Sequence, residues 1–196
     1  VKIQRTVIVT ITLMALVLPI SGTLAAELPW PDAGTPLKIS ERDEARHTSL
    51  ALSSTIIGVA WAGTGSYNGI YMREYRTGWS PRETIVSAAD SNFPSLAYLD
   101  SDERALAWVQ GGGLNVKTVR TDIDGTKESV KGSLYGDIFP HIVAEGTRLH
   151  LIFPGTENPD SSTQVDLYHT YRDSDDSAWA SPTVVMAHAE AIQDDI

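Results

Sequence analysis

His47-Thr48-Ser49-Leu50-Ala51, Phe93-Pro94-Ser95-Leu96-Ala97 and Phe139-Pro140-His141-Ile142-Val143 stand 46 residues apart and share one pattern: a ring, a turn-former, then a short strand of alternating polarity. Gln193-Asp194-Asp195-Ile196 resembles Tyr135-Gly136-Asp137-Ile138, the run that leads into the third copy. A period of this length built from short strands is the mark of a propeller blade or an array. Each copy continues in the same order. A polar turn, clearest at Asp100-Ser101-Asp102-Glu103, leads to a more apolar strand at Ile56 to Ala62, Ala105 to Gln110 and Leu149 to Phe153, closed by Gly63, Gly111 and Gly155. Near-continuous apolarity predicts burial on both faces. A third strand follows at Ile70 to Arg76, Asn115 to Arg120 and Leu167 to Arg172, and an edge strand at Thr84 to Ser87 and Thr183 to Met186. Pro81 and Pro182 precede the edge strands, where a missing N–H costs no ladder bond. Four antiparallel strands per copy and no amphipathic helix make the fold all-β, with three propeller blades at about 46–91, 92–137 and 138–190 and a fourth beginning at 193–196.

Closed propellers have about four to eight blades. Three leave two apolar flanks uncovered, so the sequence predicts a partial chain, half of a six-bladed ring; the alternative is a half-propeller that pairs with itself. Self-association is expected if the chain has three blades only.

Ahead of the repeats lies a different kind of sequence. Lys2 and Arg5 precede an apolar run from Val7 to Ile20, followed by the small residues Ser21-Gly22-Thr23 and Ala25-Ala26. This is the layout of a secretory signal peptide over 1–26, which predicts a secreted or cell-surface protein. Residues 27–45, with Pro29, Pro31, Gly34 and Pro36, read as an extended lead-in. The chain carries 15 basic and 25 acidic residues, a net charge of −10, which argues against nucleic acid and against a membrane beyond the signal segment. With no cysteine, disulfides and thiolate chemistry are excluded.

The order Pro-Ser-Leu-Ala, apolar strand, Tyr-x-x-Arg strand, turn, Trp-Ser-x-Pro resembles the bacterial-neuraminidase repeat of the sialidase superfamily. Its Asp box, Ser-x-Asp-x-Gly-x-x-Trp, appears here in degenerate forms. Asp173-Ser174-Asp175-Asp176-Ser177-Ala178-Trp179 lacks the glycine, Tyr75-Arg76-Thr77-Gly78-Trp79 is shortened, and Thr121-Asp122-Ile123-Asp124-Gly125 has no tryptophan. The resemblance implies a sialidase-like propeller that binds an extracellular or cell-surface glycan or protein. The alternative it implies is an exo-glycosidase whose catalytic residues lie mostly in further blades.

That family clamps a substrate carboxylate with three arginines, and Arg46 stands where the first would be. A plainer explanation is that Arg46 ends the charged run Glu41-Arg42-Asp43-Glu44. The family's acid/base aspartate has no counterpart, since no Asp occurs between Asp43 and Asp90, and after Glu44 the only carboxylates in that stretch are Glu74 and Glu83. Glycoside hydrolysis ordinarily needs a spaced carboxylate pair, and none can be nominated. The ligand-binding candidates are Arg46, His47 and His141 at the opening strands, and Glu157 and Asp160 in the long loop from Thr156 to Gln164. His150, His169 and His188 fall on separate elements and suggest no cluster. Asp100-x-Asp102-Glu103 and Asp122-x-Asp124-Gly125 contain calcium-type oxygens but suit hairpin turns better, so no metal or cofactor is expected.

Overall fold

Three short sheets follow one another along the chain, each built in the order in which its strands occur. The structure is a computed structural model and describes residues 39–40, 45–111, 116–158 and 165–187, the side chain of Tyr67 excepted. The signal segment, most of the lead-in, Asp160 and the start of a fourth repeat lie outside the described residues. The first sheet holds β1 (Ala45–Leu52), β2 (Ile57–Gly63), β3 (Gly69–Tyr75) and β4 (Glu83–Val86). In the second lie β5 (Ser91–Tyr98), β6 (Arg104–Gly111), β7 (Lys117–Ile123) and β8 (Thr126–Leu134). The third contains β9 (His141–Glu145), β10 (Arg148–Gly155), β11 (Asp166–Asp173) and β12 (Thr183–Met186). All neighbours are antiparallel. These are three propeller blades, and a single 3-10 turn at Gly65–Tyr67 is the one helical element among the described residues.

Three details differ from the sequence reading. The opening strands start earlier, at Ala45 and Ser91, because the chain resumes pairing on the far side of a bulge. The second blade has a full fourth strand, β8, that the sequence left unassigned; its residues Thr-Lys-Glu-Ser-Val-Lys-Gly-Ser-Leu are mostly polar because the strand is an edge. The second strand of the third copy is not buried on both faces: Arg148 and Ile152 are exposed while Leu149, Leu151 and Phe153 are buried. That strand alternates because no described sheet covers its second face.

Two cores form, one at each joint between blades. At the first joint, Ala60, Ala62, Ile70 and Met72 of blade 1 meet Leu96, Tyr98, Leu106 and Trp108 of blade 2. At the second, Ala97, Ala105, Ala107 and Val119 of blade 2 meet Ile142, Leu149, Leu151 and Phe153 of blade 3. At both joints alanines on the second strand of one blade face large side chains of the next, which lets the sheets pack closely there. Polar bonds repeat with the same step. Leu96 N donates to Ser49 Oγ at 3.0 Å, and Ile142 N donates to Ser95 Oγ at 3.0 Å. The outer strands add the Arg104–Glu83 and Arg172–Glu128 ion pairs. Trp179 Nε1 donates to Thr121 Oγ1 at 3.0 Å, so this tryptophan fastens blade 3 to blade 2. Trp61 and Trp108 are buried as core residues.

The tips of the inner hairpins are also joined. Thr55 Oγ1 donates to Asp102 Oδ2 at 2.6 Å, and Asp100 N donates to Gly146 O at 3.2 Å. The hydroxyls of Ser53 and Thr55 hold the Asp102 carboxyl below the usual carboxylate range. A lowered folded-state value means the stabilisation is present above the ordinary carboxylate pKa and is lost as pH falls through the lowered one. Asp102→Asn is therefore expected to unfold at lower urea than the parent at neutral pH, with the two midpoints converging as pH falls through the lowered Asp102 pKa. Asn tolerates the φ of +63° found at this position, so the substitution removes charge without adding backbone strain.

Candidate functional site

Where the opening strands begin, the three copies converge. Pairing in blade 1 skips from Arg46↔Ala62 to Ser49↔Ala60, and in blade 2 from Asn92↔Val109 to Ser95↔Ala107. The residues carried by these two bulges are repeat-equivalent, and both His47 and Phe93 adopt left-handed backbone, with φ of +50° and +54°. Bulky side chains rarely accept this conformation; the cost is on the order of 1 kcal/mol each and is met only where surrounding structure imposes it. The result is re-aimed side chains. The His47 and Phe93 rings lie 4.1 Å apart, and Phe93 meets Phe139 edge-on at 4.6 Å.

Around these rings is a cavity of about 250 Å³ lined by His47-Thr48-Ser49, Phe93-Pro94-Ser95 and Phe139-Pro140-His141. The same three positions of every copy thus contribute to one pocket. Ser49 and Ser95 are fixed by the amides they accept from the following blade, which leaves their hydroxyl protons free to donate. Burial, with a contribution from the Arg46 guanidinium, pushes the His47 imidazole below its ordinary value, so it enters the pocket neutral. Among the described residues, the lining contains aromatic edges, hydroxyls and imidazoles, and no carboxylate or permanent cation. Such a surface can stack a ring and hydrogen-bond its substituents.

The candidates read from sequence separate here. His47 and His141 line the pocket together, whereas Arg46 is exposed on β1 beside it and is not part of the lining. Glu157 is engaged elsewhere, in an ion pair with Lys131 of β8 on the outer strands. Asp160 lies outside the described residues. Phe93 and Phe139 were missed as site residues. Their signal was present in the repeated Phe-Pro pair, but a ring at a strand start reads as core until the bulge is known. A second cavity of about 430 Å³ lies on the backward face of blade 1, between Ile39-Ser40 and Leu50, Val59 and Trp61. Arg73 Nη1 holds Ile39 O there at 3.1 Å. This cavity is apolar and lacks a convergent set of polar groups.

No protein-family profile matches the chain, and no curated protein matches it. Among solved structures, it is similar to the α-L-arabinofuranosidase PaAbf62A from Podospora anserina, crystallised in complex with cellotriose. There the identity is 10%, the TM-score 0.46, and the match covers 77% of this chain and 54% of that one. It is also similar to the catalytic domain of the Coprinopsis cinerea GH62 α-L-arabinofuranosidase, at 11% identity and a TM-score of 0.44, again over 77% of this chain and 54% of the other. The chain spans about half the length of these two structures. The reading of the pocket rests on its own geometry.

Proposed function

We propose that this chain is an exported propeller module that binds a carbohydrate, and that the pocket between His47, Phe93, Phe139 and His141 receives one sugar ring. The observation that carries the reading is the edge-to-face pair of half-buried Phe93 and exposed Phe139, set between two imidazoles and two serine hydroxyls. A pyranose or furanose has an apolar face of C–H bonds and a rim of hydroxyls, which matches that mixture of ring and polar edge. The volume of about 250 Å³ suits one ring rather than an extended chain, the remainder of a glycan lying outside. Because the lining carries no permanent charge, an uncharged sugar is favoured over a sialic acid. The reading is of binding, since the lining groups stack and hydrogen-bond but supply no acid/base pair. Export follows from the leader-like first 26 residues.

Titration of the protein with a panel of neutral hexoses, pentoses and N-acetylneuraminic acid, followed by NMR, is the test. A neutral sugar is expected to shift the amides of Phe93, Ser95 and His141, with affinity reduced at least tenfold in Phe93→Ala, about the effect of removing one stacking ring. Binding of no neutral sugar, or binding indifferent to Phe93→Ala and His141→Ala, overturns the proposal. Release of product from aryl glycosides by the same protein would replace a binding role with a catalytic one.

A further inference from the structure

Blade 3 differs from the other two blades in one row across its strands. Ser49↔Ala60↔Met72 in blade 1 and Ser95↔Ala107↔Thr121 in blade 2 are matching rows across three strands. In blade 3 the matching row is His141↔Ile152↔His169. Two residues back along β10, on the same face, His150 stands where Gly58 and Ala105 stand in the other blades. Small residues there admit the next sheet, as Gly58 shows: a Cβ on it would lie 2.2 Å from Tyr98 Oη. Among the described residues, the two imidazoles in these places are half-buried.

They are instead arranged toward each other. His150 Nδ1 and His169 Nε2 are 3.0 Å apart, and the rings are nearly parallel at 13°. The other nitrogen of His150, Nε2, is 3.2 Å from Glu145 Oε2. With Glu145 accepting the Nε2 proton, His150 turns its Nδ1 lone pair to His169, the tautomer in which carboxylate-backed histidines ligate metals. Two nitrogens about 2.0–2.1 Å from a tetrahedral zinc are about 3.3 Å apart, close to the separation already present. A shift of the His169 proton from Nε2 to Nδ1 supplies the second lone pair without any net proton release. Nearby, Arg148 is paired with Asp173 and lies over Tyr171, so its charge is offset on this face.

We propose that His150 and His169 form a two-imidazole site for a divalent transition metal, with Glu145 positioning His150. Among the described residues no third His, Cys, Asp or Glu completes a three-ligand cluster, so the remaining positions fall to water. Imidazole donors select zinc, nickel or copper over magnesium or calcium. The site is separate from the sugar pocket and does not depend on it.

The experiment is calorimetric titration of the metal-free protein with ZnCl₂, accompanied by NMR of the histidine rings. One equivalent is expected to bind, moving the His150 and His169 ring signals together. Affinity should fall more than tenfold in His150→Ala and in His169→Ala, and about tenfold in Glu145→Gln, the usual consequence of losing an outer carboxylate. His150→Ala places in blade 3 the residue that blade 2 carries at Ala105, so the variant should fold, and circular dichroism verifies this. Absence of zinc binding, or one-equivalent binding that survives both histidine substitutions, overturns the proposal.

Discussion

Phe153→Ala is expected to destabilise the protein by about 4 kcal/mol, the middle of the range for deleting a fully buried aromatic ring. Phe153 is wholly buried and its ring stacks on Tyr168 at 5.4 Å and 14°. It is the largest fully buried side chain that blade 3 turns toward blade 2. Beside Gly155, two residues on, even an added Cβ would lie 3.3 Å from Leu134, so the strand has little freedom to collapse into the space left behind. A site that cannot collapse keeps its cavity and the full cost. Urea unfolding with constant slope and a lowered midpoint measures the effect. Hydrogen exchange localises it: the amides of β9 and β10 should lose protection before those of β2 and β3, since the first joint is untouched. A cost below about 1 kcal/mol would mean that the second joint is not closely packed around this ring.

Much of this architecture was legible because the repeat fixes it three times over. β9 and β12 lie where alternation and the Trp-to-Pro turn place them, at His141–Glu145 and Thr183–Met186. β8 was not legible, since an edge strand with Val130 and Leu134 as its only apolar residues has no period to find. Nor was the bulge at His47 and Phe93, because alternation reports which face a residue occupies and not where the ladder inserts an extra one. His47 and His141 could be placed at strand starts from sequence, but their shared pocket follows from the stacking of blades. His150 and His169 show the limit most clearly. They are nineteen positions apart on two strands, and only the β10–β11 register, with Ile152 opposite His169, brings their rings into contact. Sequence periodicity gives the face of each strand; register between strands is a tertiary quantity.

Close approach at the first joint makes a single glycine decisive. Gly58→Val is expected to cost about 3 kcal/mol, the upper end for overpacking, and to loosen blade 1 from blade 2. The reason is contact and not backbone conformation. A Cβ at position 58 would lie 2.2 Å from Tyr98 Oη, 2.7 Å from Leu96 Cδ2 and 2.9 Å from Tyr98 Cε2. Relief would require Tyr98 to move, yet its hydroxyl is anchored, donating to Glu74 Oε1 at 3.0 Å. Burial and the neighbouring Glu74 carboxylate push the Tyr98 phenol well above its ordinary value, so it remains a donor throughout the working pH range. Displacing the ring would take that donor from the Glu74 carboxylate, leaving it the Arg76 pair, and open the core around Trp108. The same substitution at Gly78, where a Cβ would meet nothing within 4 Å, should change stability by less than about 0.5 kcal/mol. Pairing Gly58→Ala with Tyr98→Leu tests the cause. If the clash with the Tyr98 ring is responsible, the two costs will fall short of additivity by about 1 kcal/mol or more, whereas additive costs would place the strain elsewhere in the joint.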